Sequence, residues 1–524
     1  MRTTTRRGVT AALTVGAAVL LAVPAAGQTL TDAVPFGTVN GVDHEVVTTE
    51  VDDPTALDIA PDGRIFVAER TGRVKIVNGD GGVVEAGRLG VDSLDRQCAD
   101  CPGQSLDEGG LHGLLLAPDF ATTGHVYLYY SVPGSLGSPV TPAKHPDARG
   151  PQETEGKFRL SRFTVVGDQL DLASETPLLE NPAEWFHCCH YGGDMEWLAD
   201  GTLVVTTGDD TISSQSGGYS PHDARPGQDF NNADLTAQNP ADRRGKLLRL
   251  NPDGSVPADN PFVDDPAYDP YVYAMGFRSP YRFEVDPESG NLFVGNVGPD
   301  AITPDPARGP YQYDEVETVP AGGTSNHGWP RCIADNIAYN RFDWETNEAG
   351  EPFDCTGMTP ATLYYSYWPS ADFPVMSGGI GSTAMVGAYY DAEGPLALPE
   401  RYGRHVVFMD WSRDHLWTMP VTDAGTLDTQ QIFPLVNGLY GPIDADVGPD
   451  GALYVAEYGR GLYNNADSRI TRVVCAGCGG GQAAPTDGPD RREPRSVPSP
   501  VTPAGIGLAL VLVGTPLLRR RRTI

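Results

Sequence analysis

Apolar residues alternate with polar ones at a period of two in six short segments, each following a turn that contains glycine. The first three are "PDGRIFVAER" (Pro61–Arg70), "FATTGHVYLYYS" (Phe120–Ser131) and "ADGTLVVTTGDD" (Ala199–Asp210). The others are "ESGNLFVGNVG" (Glu288–Gly298), the looser "YGRHVVFMDW" (Tyr402–Trp411) and "PDGALYVAEYG" (Pro449–Gly459). An Asp-Gly turn admits positive φ and closes a tight hairpin, and the alternation after it reads as a half-buried strand. Six such hairpins, spaced irregularly by insertions, predict an all-β fold: a six-bladed β-propeller with long inter-strand insertions. A β-sandwich with repeated hairpins is the rival reading, but no break in composition interrupts the series. In a propeller the loops at one end of the central channel converge, so residues flanking distant hairpins can meet there and form a ligand site.

Composition narrows the class of partner. The chain of 524 residues is 40% hydrophobic, with 62 Gly and 46 Pro, which suits many turns and short strands. A net charge of −32 argues against a nucleic-acid partner, which needs a basic face. Lysine occurs only at Lys75, Lys144, Lys157 and Lys246, so nearly every cation is Arg. Residues 1–27 read as a signal peptide of twin-arginine type, with Arg6-Arg7 ahead of an apolar run and a small-residue exit. The propeller is expected over 34–475, a Gly/Pro/Ser-rich linker over 476–503, and an apolar anchor or sorting tail with an Arg cluster over 504–524. Together these predict an exported protein, extracellular or at the cell surface, whose membrane contact is confined to the tail.

Eight cysteines in an exported chain predict disulfides. Cys332 and Cys355 are expected to close one loop. Cys98/Cys101 and Cys475/Cys478 are CxxC pairs, expected to bridge internally or to one another rather than to bind zinc, and none precedes a His as covalent haem requires. Cys188 and Cys189 leave two possibilities open: a vicinal disulfide able to stack on a flat cofactor, or separate bridges to Cys98 or Cys101.

Chemistry concentrates in "HCCHYGGDMEWLADGTLVVTTGDD" (His187–Asp210). His190 precedes the Asp200-Gly201 turn by ten residues, which places it at the opposite end of the strand, where a channel-facing loop would be. Histidine exchanges a proton near neutral pH. Gly192-Gly193 would let a flat ligand or a backbone approach closely. A hydrogen-bonded structural histidine is the plainer alternative.

The ordered set "EGGLHGLLLAPDF", "HYGGDMEWLADGTLVVTTGDD", "RGKLLRLNPDGSVPADNPF", "YAMGFRSPYRFEVDPESGNLFVGNVGPD", "YDEVETVPAGGTSNHGWP" and "PIDADVGPDGALYVAEYG" resembles the glucose/sorbosone dehydrogenase family. The resemblance runs from about Val46 to Val474. It implies soluble quinoproteins built as six-bladed propellers that use pyrroloquinoline quinone (PQQ) and calcium. On this resemblance His190 is the catalytic base and Arg278 contacts the quinone oxygens, while Glu108 contacts substrate. Gly298 and Pro299 offer carbonyls to a catalytic calcium, and Glu315 and His327 match a second, structural calcium site where the family often has Tyr in place of His327. Four further positions depart. Ser279 stands where Asn is common, Gly441 and Ile443 replace an Arg-x-Arg pair that binds quinone carboxylates, and a family lysine falls near Ser412 with Arg413 beside it as a substitute. The implied activity is oxidation of an aldose or similar sugar hydroxyl to a lactone, with electrons passing to an external acceptor. The alternatives are a cofactor-free carbohydrate- or protein-binding propeller that retains calcium, and a calcium-dependent lactonase for which no motif speaks.

Overall fold

The computed structural model describes residues 42–79, 81–92, 108–133, 154–185, 189–211, 215–368, 373, 376, 381–461 and 465–475. Among these the chain forms six four-stranded antiparallel sheets, the six blades of a β-propeller. In order from the innermost strand outward, blade 1 is Pro54–Ile59, Ile65–Glu69, Arg73–Val77 and Val83–Arg88. Blade 2 is Leu111–Leu116, His125–Ser131, Thr154–Val166 and Gln169–Trp185, and blade 3 is Met195–Trp197, Leu203–Thr207, Lys246–Leu250 and Val272–Met275. Blade 4 is Pro280–Val285, Leu292–Asn296, Asp314–Val319 and Leu363–Tyr365. Blade 5 is Ala384–Tyr390, His405–Asp410, His415–Pro420 and Phe433–Asn437. Blade 6 takes Pro442–Val447, Leu453–Glu457 and Arg469–Cys475 from the end of the propeller and its outer strand, Val42–Thr48, from the beginning. That last pairing runs from Val42 opposite Cys475 to Thr48 opposite Ile470 and closes the ring with backbone hydrogen bonds.

Each of the six sequence segments contains the second strand of one blade. Five of the turns place a glycine at positive φ, as where Gly63 N–H donates to Ala60 O at 2.8 Å with Gly63 at φ +87° and Gly451 N–H donates to Gly448 O at 2.9 Å with Gly451 at φ +83°; in blade 5 the residue at positive φ is Arg404 (φ +55°). Only a residue without a Cβ adopts that angle freely, so the glycine fixes where the inner strand stops and the second begins. The second strand then climbs back to the other rim, where its exit loop opens.

The innermost strands touch their neighbours in a closed circle but do not pair, so each leaves backbone N–H groups facing the next blade. At four of the six junctions carboxylates on or beside these strands accept such groups. Asp444 accepts from Leu57 N–H (2.8 Å), Asp446 from Ile59 (3.0 Å), Asp58 from Leu116 (2.6 Å), Asp194 from Phe283 (2.8 Å) and Glu284 from Tyr389 (3.0 Å). Arg282 pairs with Asp444 at 3.3 Å and Asp194 at 3.7 Å, and its guanidinium also donates to Thr55 O. Burial, reinforced by like charge, pushes Asp58 up to about 6 and Glu284 up to about 7; burial likewise raises Asp194 to about 7 against the pull of Arg282.

Blade 4 carries two short ribbons, Cys332–Ile333 with Ile337–Ala338 and Asn340–Asp343 with Glu348–Pro352. The expected Cys332–Cys355 disulfide closes this excursion, with S–S 2.02 Å. Cys189 and Cys475 are also disulfide-bonded. Their partners lie outside the described residues, as do Cys98, Cys101, Cys188 and Cys478, the signal segment, the linker and the tail. Among the described residues no helix is long and apolar enough to cross a membrane.

Candidate active site

At the rim where inner strands begin and second strands end, loops from blades 2, 3 and 4 converge. Glu108 lies just before the first strand of blade 2, His190 just before that of blade 3, and Arg278 just before that of blade 4. The Glu108 carboxylate accepts from His190 N–H at 2.9 Å. His112 ties the same loops from below, its ring nitrogens facing Gly192 O at 2.9 Å and Glu108 O. His190 and Cys189 both have positive φ, 68° and 89°, a conformation held by these contacts.

The glycine pair makes room for protein rather than for a ligand. A Cβ on Gly193 would stand 2.5 Å from the Tyr129 ring, and one on Gly192 would stand 2.8 Å from Thr206 O. The loop carrying His190 is thereby pressed onto blades 2 and 3.

His190 is buried and its Nδ1 meets Asp209 Oδ1 at 2.7 Å. Asp209 lies two residues past the second strand of blade 3 and is fully buried. Its Oδ1 also accepts Thr211 N–H (3.2 Å), and its Oδ2 accepts Thr211 Oγ1 (2.6 Å) and Trp329 Nε1 (2.6 Å). Burial by itself would raise the Asp209 pKa; His190 and Arg278 outweigh it and hold the carboxyl below its ordinary value. An ionised Asp209 accepts, so Nδ1 is the protonated nitrogen of neutral His190 and Nε2 is left to take a proton.

Arg278 is coupled to this pair through the backbone, since Asp209 N–H donates to Arg278 O at 2.8 Å. Its guanidinium reaches Val297 O (3.2 Å) and Asp300 (3.4 Å) and lies 5.9 Å from the centre of the Trp329 ring, while Nε is buried without a hydrogen-bond partner. Ser279 is engaged by backbone alone, donating to Asn296 Oδ1 at 3.0 Å and accepting Val297 N–H at 2.9 Å. Gly298 and Pro299 follow directly; Gly298 packs so closely that a Cβ would fall 1.8 Å from Tyr313 O.

The remaining expected residues sit apart from this group. Glu315 lies one layer behind, reached through Asn296, which takes the Arg278 and Ser279 N–H groups on Oδ1 and donates to Glu315 at 3.0 Å. The other Glu315 oxygen takes Ala334 N–H at 2.5 Å. His327 is held between Glu317 (2.8 Å) and Ser325 (2.9 Å), and burial pulls its pKa down to about 3. With both carboxylate oxygens on protein donors and only ring nitrogens on His327, these two side chains fit calcium, an oxygen-seeking cation, less well than the Gly298-Pro299 carbonyls do. Arg413 is buried in the blade 5 loop, its three nitrogens donating to Gly381 O (2.9 Å), Met376 O and Ser366 O (2.7 Å). Among the described residues no group of three or more His, Cys, Asp or Glu stands close enough to hold a metal. From sequence Asp209 reads as a metal ligand or as the end of a strand, and Trp329 has no role; their partnership needs the three-dimensional meeting of blades 3 and 4.

A family model for glucose/sorbosone dehydrogenases matches residues 51–378. An uncharacterised protein of Synechocystis is 30% identical over 312 residues, covering 58% of this chain and 60% of that one. Quinoprotein glucose dehydrogenase B of Acinetobacter calcoaceticus is 27% identical over 317 residues, 59% of this chain and 57% of its own. The chain thus spans about three-fifths of the length of the curated relatives it matches. A solved Thermus structure, described as an oxidoreductase of glucose dehydrogenase type, superposes with TM-score 0.55 at 25% identity over 83% of this chain and all of that one. With the blades, the converging rim and the family model all in agreement, the chain belongs to the glucose/sorbosone dehydrogenase family.

Proposed function

We propose that this protein is an exported quinoprotein-type dehydrogenase that oxidises an aldose or similar sugar hydroxyl to a lactone, with His190 as base. The observation that carries the reading is the buried Asp209–His190 pair, which fixes Nδ1–H and turns Nε2 into the acceptor at a rim shared with Arg278. His190 Nε2 takes the hydroxyl proton of the sugar, and Asp209 stabilises the imidazolium that results. Glu108, held against the His190 backbone, offers carboxylate oxygens to sugar hydroxyls. PQQ, when bound, supplies the acceptor for the hydride leaving the anomeric carbon, and an external acceptor then takes the electrons. The buried, unpartnered Arg278 Nε fits an electron-rich oxygen, and a donor placed there stabilises charge as it develops. The Gly298 and Pro299 carbonyls would hold calcium, a hard cation suited to oxygen ligands. The Cys332–Cys355 disulfide supports an oxidising compartment, in keeping with export and a tethered or released location.

One observation favours the second reading, a sugar- or protein-binding propeller without quinone. Gly441 and Ile443 carry no charge, and Arg413 already has three carbonyls on its guanidinium. The exposed Arg460, stacked 3.6 Å over Tyr440 in the hairpin beside Gly441, is the guanidinium that could replace them for a carboxylate. The test incubates the protein with calcium, with and without PQQ, and follows quinone uptake by absorbance and dye reduction across an aldose panel, beside His190→Ala. PQQ-dependent reduction lost in the variant supports the dehydrogenase. Sugar binding without quinone uptake overturns it in favour of the binding module.

A further inference from the structure

We propose that Trp329 is a positioning residue that sets the basicity of His190 through Asp209; this rests on the reading of His190 as the base. A carboxylate offers about four lone-pair sites. At Asp209 all four are filled: His190 Nδ1 and Thr211 N on Oδ1, Thr211 Oγ1 and Trp329 Nε1 on Oδ2. No site is left for a proton, so Asp209 stays a carboxylate while His190 gains and loses one. Each donor also draws charge away from the oxygen facing the imidazole. A bare buried carboxylate 2.7 Å from Nδ1 would hold the imidazolium strongly and raise the pKa of His190, leaving less of the free base near neutral pH. The indole N–H moderates that pull.

The tryptophan is fixed for the task. It is 3% exposed, its backbone N–H donates to Gly276 O at 3.0 Å, and its backbone carbonyl accepts Gln238 Nε2 at 2.7 Å. Tyr339 meets its ring edge-on at 6.1 Å and the Arg278 guanidinium lies 5.9 Å from its centre. One side chain from the blade 4 insertion therefore touches both the residue behind the base and the arginine opposite it. Among the described residues the charged groups set against His190 are Asp209, Glu108 on its backbone N–H and, through Asp209, Arg278.

The experiment titrates His190 by NMR in protein labelled at histidine Cε1, without quinone or sugar, the signal being assigned by its loss in His190→Ala. Trp329→Phe keeps an aromatic ring, smaller than the indole, and removes the donor; Thr211→Val removes the other side-chain donor and Thr211→Ser restores it. The expected result is a His190 pKa raised by about 0.5–1 unit in Trp329→Phe and in Thr211→Val, with Thr211→Ser at the wild-type value. The acid limb of kcat/KM should move to higher pH by the same amount. If Trp329→Phe does not fold, the Thr211 pair carries the test. An unchanged or lowered pKa in the folded donor-deleted variants overturns the proposal. A raised pKa in a protein that oxidises no sugar leaves the positioning role standing and removes the base.

Discussion

Replacing Asp209 by Asn should invert the tautomer of His190 and abolish catalysis while leaving the propeller folded. The surroundings dictate which way the amide faces. Trp329 Nε1 and Thr211 Oγ1 both donate to Oδ2 at 2.6 Å, so the amide oxygen must occupy that side. The NH2 group is then directed at His190 Nδ1, which becomes an acceptor, and the ring proton moves to Nε2. To act as a base the ring would have to carry its proton on Nδ1, donor against donor at the 2.7 Å separation now bridged by a hydrogen bond. Losing a charge-assisted bond and opposing two donors costs about 4–5 kcal/mol, or roughly 10³–10⁴-fold in kcat/KM. The assay is steady-state dye reduction with PQQ and calcium, paired with ¹⁵N spectra of the unliganded protein that read which ring nitrogen carries the proton. Activity within tenfold of wild type, or a spectrum that still shows Nδ1 protonated and Nε2 bare, would refute the reasoning.

Two further substitutions probe the scaffold. Glu196 on the channel wall is pushed well above the carboxylate range by burial first, then by Glu284, Asp194, Asp58 and Asp446. A folded-state pKa raised in this way gives stability that is complete below the unfolded pKa and is lost as pH rises through the folded one. Glu196→Gln should therefore stabilise the protein by about 1–2 kcal/mol at pH 8, and by much less near pH 4, in urea unfolding at the two pH values; equal effects at both would contradict the assignment. Lys246 is fully buried, with Nζ donating to Thr236 O (2.7 Å), Ala237 O (3.1 Å) and Arg244 O (2.7 Å). Lys246→Met would strand those carbonyls and should cost about 2–5 kcal/mol, seen as a lower urea midpoint; a midpoint unchanged from wild type counts against the role.

Most of the architecture was legible because its signal is local. A turn containing glycine and an alternating run need no distant partner to be read, and all six runs mark the second strand of a blade. His190 was placed at the right end of its strand for the same reason, since strand direction after a turn is fixed. What could not be read depends on contacts between blades. In "PIDADV" the acids look like the solvent face of an edge strand, yet Asp444 and Asp446 turn to the backbone of blade 1. Gly192-Gly193 leaves room for a flat ligand or a backbone, and the fold gives that room to the Tyr129 ring and the Thr206 backbone. Asp209 reads as a metal ligand or a strand end, and its role behind His190 shows only once Trp329, 120 residues later, is brought to it.

Arg413 shows a related confusion between two uses of a buried cation. The rim loops include long irregular excursions whose carbonyls lack strand partners, and an unpaired buried carbonyl is unfavourable. Lys246 gathers three such carbonyls in the blade 3 excursion, and Arg413 gathers three near the start of blade 5. These cations tie loops down, so their charge is already engaged when an anionic ligand arrives. Arg278 differs: its carbonyl is fixed by Asp209, its ring-facing side by Trp329, and one N–H is left unsatisfied in a buried place. A cation held rigid yet incompletely bonded gains a hydrogen bond when an oxygen reaches it, with little ordering left to oppose the gain. Among the described residues Arg308 shares the unpartnered buried Nε, so what places the anion-seeking chemistry of this rim at Arg278 is its position beside the Asp209–His190 pair.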